Sequence, residues 1–221
     1  NKTIIFFISN EENSSNTTRN KYIKNFIYYI INIISIRQKK KKLDFSIFKD
    51  YSVKKITFKT DPKKWQVINN NSINTILKEK PKFIYKCGMK LLRISDQLKG
   101  IPILSHHHGD PSKFRGRPAA FYEILKGECK LGQIVQVLSN KLDAGDIISY
   151  AETSIYNWSY KETLEDAYKV SPIVFEKALK NLKNGVIVNK KSDGHNYKLP
   201  SNYVGIYFIF KEIYNLILRI L

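Results

Sequence analysis

Short apolar, β-branched runs alternate through the middle of the chain with longer segments whose apolar residues recur at helical spacing. That alternation constrains the fold more than any other feature. Residues 53–58 (VKKITF) alternate as a half-buried strand does, 69–79 carry a weak helical pattern, and 82–87 (KFIYKC) are strand-like again. Residues 101–105 (IPILS) form a short apolar run that stops at three histidines. Residues 118–125 open with Pro118 just inside a helical pattern, where its missing N–H costs nothing. Residues 132–139 and 146–155 read as strands around a Leu-Asp-Ala-Gly-Asp turn. A helix is expected over 159–182, with Ser159 and Glu162 spaced as a capping box and Leu164, Ala167, Val174, Ala178 and Leu182 along one stripe. The expected class is α/β, a doubly wound, mostly parallel sheet flanked by helices.

Both ends are strongly apolar. Residues 2–9 (KTIIFFIS) read as a buried strand, and 22–36 as either a helix apolar on most faces or two strands, followed by Arg37 and four lysines at 39–42. A basic cluster behind an apolar helix can anchor a protein to anionic lipid, but this segment falls short of the roughly 20 residues that span a bilayer. Residues 203–221 are interrupted by Lys211, Glu212 and Arg219, so an amphipathic helix docked on the domain is expected, with peripheral membrane contact as a further role. The first residue is Asn1, not Met, which points to an incomplete start.

Composition bounds the rest. Hydrophobic residues make up 43% and aromatics 13%, enough to support a core and to exclude a disordered chain. The 221 residues fit one large α/β domain, or one with an appendage. With 38 Lys+Arg against 19 Asp+Glu the net charge is +19. Most of the basic residues are lysines scattered among Asn and Ile, the pattern of a compositional bias rather than of a nucleic-acid footprint. Two cysteines, Cys87 and Cys129, make no disulfide framework, so a reducing, cytoplasmic setting is expected.

Ligands in open α/β sheets bind beyond the carboxyl ends of strands, and two segments answer to that position. The first is Ser105-His106-His107-His108-Gly109-Asp110, read as a loop and continuing to Arg115 and Gly116; the second is the turn holding Asp143. His106-x-His108-x-Asp110 resembles the ligand run of the metallo-β-lactamase superfamily, but Pro111 stands where that pattern has a further His. Zinc catalysis usually takes three suitable protein ligands.

The run from about 84 to 148 resembles more closely the catalytic domain of the folate-dependent formyltransferases. That family includes the methionyl-tRNA, glycinamide ribonucleotide and sugar N-formyltransferases. The matching pieces are SHHHGDPSKFRGRPAAFYEILKGE, GQIVQVLSNKLDAGDII and the spacing between them, with CGMKLLR resembling the stretch that lines the folate pocket. The resemblance implies a catalytic domain over 1–185, divergent before about residue 80, and a C-terminal extension over 186–221. His107 matches the family's catalytic His and Asp143 its catalytic Asp, while Ser105 stands where the family usually has Asn. Gln136 falls where several members carry a second His. Cys87, Gly88, Met89, Leu91, His108, Asp110, Arg115, Gly116 and Gly145 are the implied folate- and substrate-binding residues.

The implied reaction moves a formyl group from 10-formyltetrahydrofolate, a co-substrate, to an amine through a tetrahedral oxyanion. An imidazole N–H aimed at that oxygen is worth about 3 kcal/mol, and a carboxylate beside it keeps the ring protonated or orients a water. Arg115 and Lys113 are candidates for an anionic part of either reactant. The implied acceptor is a small amine, an amino-sugar nucleotide first, because no segment matching a tRNA-binding domain follows. The alternatives are a methionyl-tRNA formyltransferase-like enzyme, a formyl-tetrahydrofolate hydrolase, a metal-dependent hydrolase on His106, His108 and Asp110, and a non-catalytic binding module.

Overall fold

The computed structural model describes residues 4–11, 23–35, 51–62, 65–88, 91–140 and 145–221. In chain order the strands and α-helices are β1 (Ile5–Glu11), α1 (Phe26–Ser35), β2 (Ser52–Thr60), β3 (Gln66–Ile68), α2 (Asn70–Lys78), β4 (Ile84–Lys86), β5 (Leu92–Arg93) and β6 (Ile103–His108). They continue with β7 (Phe114–Gly116), α3 (Phe121–Lys126), β8 (Lys130–Val137), β9 (Asp146–Ser154), α4 (Tyr160–Lys183), β10 (His195–Tyr197) and α5 (Asn202–Ile220). The chain divides into two compact units, one of residues 1–16 and 38–103, the other of 17–37 and 104–221.

In the first unit β1 runs parallel to β2, β2 antiparallel to β3, and β3 parallel to β5. The apolar alternation of β2 turns Ile56 and Phe58 inward, where they are buried along with Ile68, Ile73, Ile76 and Leu92. α2 is short because its propensity is poor. It is held at its start by Asn69, whose side chain accepts from Ser72 N at 2.9 Å, and Ser72 Oγ in turn accepts from Thr57 N at 2.8 Å.

The second unit carries the larger core. Phe121 and Phe208 stack at 4.1 Å between ring centres, Tyr160 meets Phe208 edge-on at 5.5 Å, and Tyr28 closes the cluster against Phe121. All four are buried. Of the two readings of the 22–36 segment, the described part is helical, with α1 over Phe26–Ser35, and the expected docking of 203–221 is what α5 does. Gly205 allows the close approach: a Cβ there would lie 2.8 Å from Ile27 Cγ2. The joint is clamped by polar contacts, with Asn202 Oδ1 accepting from Ile27 N at 3.1 Å and Asn25 Nδ2 donating to Pro200 O at 2.7 Å. Residues 186–221, expected as an extension, thus lie in the same unit as 104–185, and β10 pairs in parallel with β7. The outer face of α5 leaves Tyr203, Tyr207, Phe210 and Tyr214 exposed. No helix among the described residues is long and apolar enough to cross a membrane.

The α/β class follows from the alternation of strands and helices. β8 and β9 are antiparallel, because the connection 138–145 is too short for the crossover that parallel strands need, and β6 also runs antiparallel to β8. Two local readings are corrected. The strand does not end with the apolar run at 101–105: β6 continues through His108, because β8 pairs each of those residues down to Gln133. Pro118 is not the first helical residue, since α3 begins at Phe121 behind Ala120 at φ +62°. Ser159 caps α4 as expected, accepting from Glu162 N at 3.2 Å.

Because Phe208 fills the centre of the larger core, Phe208→Ala is expected to cost about 3–5 kcal/mol of unfolding free energy. Tyr203→Ala, on the exposed face of the same helix, should stay within about 0.5 kcal/mol. Urea denaturation followed by fluorescence measures both.

Candidate active site

Side chains on a strand alternate, so the run Ser105 to His108 cannot act as one cluster. Leu104, His106 and His108 share one face of β6, and their partners on β8 are Val137, Val135 and Gln133. That face lies under α4. His106 Nε2 meets Gln133 Oε1 at 3.0 Å, His108 Nε2 meets Ser171 Oγ at 2.9 Å, and Gln133 Nε2 donates to Ala167 O at 3.3 Å. The two imidazoles stack at 4.7 Å, and Tyr168 packs edge-on against His108. Burial lowers the pKa of both rings. It carries His108 to about 3, with the neighbouring His106 and His107 adding to the effect. For His106 the bond to Gln133 offsets part of the shift.

Ser105 and His107 share the opposite face, with Gln136 and Ile134 as their cross-strand partners. Gln136 is 2% exposed, and its Oε1 has no hydrogen-bond partner among the described residues. A bulge falls between Val135 and Gln136 in the pairing with β9, which re-aims the ladder at this point. Gly145 sits so close to Val137 O that any side chain there would collide, and its virtual Cβ is 3.4 Å from Gln136 Oε1. Asp143, Met89 and Lys141 lie outside the described residues.

The turn after β6 fixes the His107 ring. Gly109 has φ +148°, and a Cβ on it would be 2.9 Å from His107 Nε2 and 3.1 Å from Phe114 O. Only glycine fits there. Gly132 performs the same service on β8, where a Cβ would meet Asp110 at 2.9 Å. Asp110 Oδ1 accepts from Ser112 N at 2.9 Å and from Ser112 Oγ at 2.7 Å, and Oδ2 pairs with Lys190 at 2.9 Å. Burial alone would raise the Asp110 pKa, but those partners outweigh it and hold the carboxylate below its ordinary value.

His107 and His108 line a small cleft of about 10 Å³ whose walls also include Arg115, Arg117, Tyr122, Glu123 and Tyr197. Tyr122 and Tyr197 stack at 4.2 Å. Arg115, expected to meet an anionic reactant, spends its guanidinium on the carbonyls of Gly194 at 2.7 Å and Ser192 at 3.2 Å. Lys113 pairs with Glu128 at 2.9 Å. Gly116, at φ +86°, lies so close to Tyr197 O that a side chain would collide with it. Glu123 is the residue that the sequence reading missed. It is 3% exposed on α3 beside the buried Phe121 and Ile124. The only signal was an acidic residue flanked by core positions of a short helix. Cys87, Gly88 and Leu91 lie in the first unit, and Cys87 is exposed.

The arrangement disfavours a metal at the histidines. His106 and His108 are bonded to Gln133 and Ser171 while Asp110 is bonded to Ser112 and Lys190, and among the described residues no three His, Cys, Asp or Glu side chains converge. His106 and His108 share a face, but Asp110 lies past the strand end on partners of its own, so a metal-hydrolase site on these three would first have to break those bonds.

No protein-family model matches the chain, and no curated protein matches it. Solved structures match over most of its length. A 4-N formyltransferase from Francisella tularensis superposes with a TM-score of 0.55 at 14% identity, over 94% of this chain and 87% of its own. The phosphoribosylglycinamide formyltransferase from Anaplasma phagocytophilum gives 0.54 at 14% identity, over 90% of this chain and 98% of its own. A HypX variant from Aquifex aeolicus gives 0.54 at 16% identity over 96% of this chain, which spans 34% of HypX. The chain has a formyltransferase-like α/β fold.

Burial holds the His108 ring at about 3, well below the ordinary imidazole value of about 6.5. Its contribution to stability is complete above pH 6.5 and is lost as pH falls toward 3, because the unfolded ring binds the proton first. The His108 ring is expected to stay neutral down to pH 5 in an NMR titration. His108→Asn should lose less unfolding free energy than wild type between pH 7 and 4.

Proposed function

We propose that the chain transfers a formyl group from 10-formyltetrahydrofolate to a primary amine, with an amino sugar carried on a nucleotide as the first acceptor to test. The observation that carries this reading is the shared face of Ser105, His107 and Gln136, with the Gly145 end of the second turn seated against Gln136. Those are the positions that acyl-type transfer needs at its reacting carbon. The relatives in fold include two formyltransferases, one of them a 4-N formyltransferase, which supports the reaction class and motivates the acceptor.

In this reading His107 donates to the oxyanion of the tetrahedral intermediate, where such a donor is worth about 3 kcal/mol. Asp143, two residues before Gly145 in sequence, keeps the imidazole oriented and charged or holds a water for proton transfer. Ser105 donates to the formyl oxygen in place of a longer amide. The buried Gln136 Oε1 accepts an N–H of a bound reactant, a partner that a group 2% exposed needs. Gly116 lets the chain pass close to β10.

The test combines purified protein, 10-formyltetrahydrofolate and a uridine-diphosphate 4-amino-4-deoxy sugar, and follows tetrahydrofolate release by absorbance. Turnover is expected, and His107→Asn and Asp143→Asn should each lower kcat by about 100- to 1,000-fold. Absence of both turnover and folate binding would sink the reading. Activity surviving in both variants would sink the residue roles.

A further inference from the structure

We propose that Glu123 receives the acceptor's ammonium group in the cleft beside His107 and takes its proton, a role that rests on the formyl-transfer reading above. A carboxyl group is costly to bury, and one placed among core residues calls for a reason. Glu123 is 3% exposed between Phe121 and Ile124, both at 0%. Leucine or glutamine would fill the same space without an ionisation penalty. Among the described residues Glu123 makes no ion pair, although it lines the same cleft as His107.

The charges around it explain why it stays available. Arg115 is one of two arginines on the cleft wall, and its guanidinium is spent on two backbone carbonyls. Arg117 is exposed at the same wall. From β6 and its turn come His107, His108 and Asp110, and Asp110 is paired with Lys190. Glu128, just past α3, is paired with Lys113. The buried Tyr160 hydroxyl of α4 is committed to Ala119 O at 3.0 Å. Burial raises the Glu123 pKa to about 7, Glu128 and Asp110 add to the rise, and its own backbone N–H takes some of it back. Near neutral pH both protonation states are populated, as a base that must take and then release a proton requires.

The step balances. A protonated amine R–NH₃⁺ gives one proton to the Glu123 carboxylate and becomes nucleophilic. Its nitrogen forms a bond to the formyl carbon, and the carbonyl electron pair moves onto oxygen, where His107 donates. The C–N10 bond then breaks as the second amine proton passes to N10, leaving R–NH–CHO and tetrahydrofolate. Glu123 returns its proton to solvent. The cleft, at about 10 Å³ and walled by the stacked Tyr122 and Tyr197, has room for a water-sized group, the size of an ammonium head, rather than for a whole acceptor or co-substrate.

The experiment measures kcat/KM against pH from 5.5 to 9 with the same co-substrate and amino-sugar nucleotide, for wild type, Glu123→Gln and Glu123→Asp. Wild type should show a rising limb near pH 7. Glu123→Gln should lose about 100-fold at pH 7 and recover toward high pH as free amine appears, and Glu123→Asp should regain part of the loss. Folate binding should be unchanged in both variants. A Glu123→Gln enzyme with wild-type rate and profile overturns the Glu123 role and leaves formyl transfer standing; a wild type with neither turnover nor folate binding overturns both. A structural role alone would lower thermal stability without moving the pH limb, and that result also overturns the proposal. Should neither variant fold, wild type labelled with ¹³C at the glutamate carboxyls is titrated with methylammonium chloride. A carboxyl resonance that titrates near pH 7 should shift with added amine, and its indifference overturns the proposal.

Discussion

The pairing of β6 with β8, which sets Ser105 opposite Gln136 and His107 opposite Ile134, is the constraint on which the rest of the second unit depends. A slip of one residue would exchange the two faces of the strand. His106 and His108 would then share the face of Gln136, and His107 would lie under α4. The register is held from both sides. Leu104 and Val135 pack against Val174 and Ala178 of α4 on one face, while Gly109 and Gly132 let the following turn close over the ladder on the other. Packing on one side and backbone clearance on the other therefore set His107 on the face opposite His106 and His108.

Burial then sorts the titratable groups into different tasks. The same desolvation that keeps His106 and His108 neutral raises Glu123 toward neutrality, because it disfavours whichever form carries charge. The neutral histidines can share hydrogen bonds with Gln133 and Ser171 without an uncompensated charge beneath α4. Asp110 remains ionised because Ser112 and Lys190 satisfy it. A run of three histidines and an aspartate, which looks like one chemical unit in the sequence, is thus divided between a structural polar network, a turn, and one group open to a reactant.

Much of the fold was legible because it rests on periodicity. The period-2 pattern of β2, the helical stripe of α4 and its Ser159 cap are local properties, and the structure repeats them with boundaries shifted by a residue or two. The end of β6 was not legible. Apolarity stops at Ser105, but the strand continues as long as β8 offers partners for its backbone groups. Pro118 likewise resembled a helix start until the backbone at Ala120 delayed α3. Arg115 read as a free cation because the carbonyls of Ser192 and Gly194 that occupy it come from almost eighty residues later in the chain. Glu123 was missed for the converse reason, since nothing local distinguishes a solvated glutamate on a short helix from one closed in by Phe121 and Ile124.

By itself the sequence determined the α/β class, the helix at the C-terminal end, and the pair of segments where chemistry could sit, because hydrophobic period and motif spacing are carried by neighbouring residues. Which of the three histidines shares a face with Ser105 and Gln136, whether a basic residue is free or spent, and that a carboxyl group lies buried beside a cleft were decided only by tertiary structure. Those properties depend on strand register and on desolvation by residues distant in the chain, and neither is encoded in any short stretch of it.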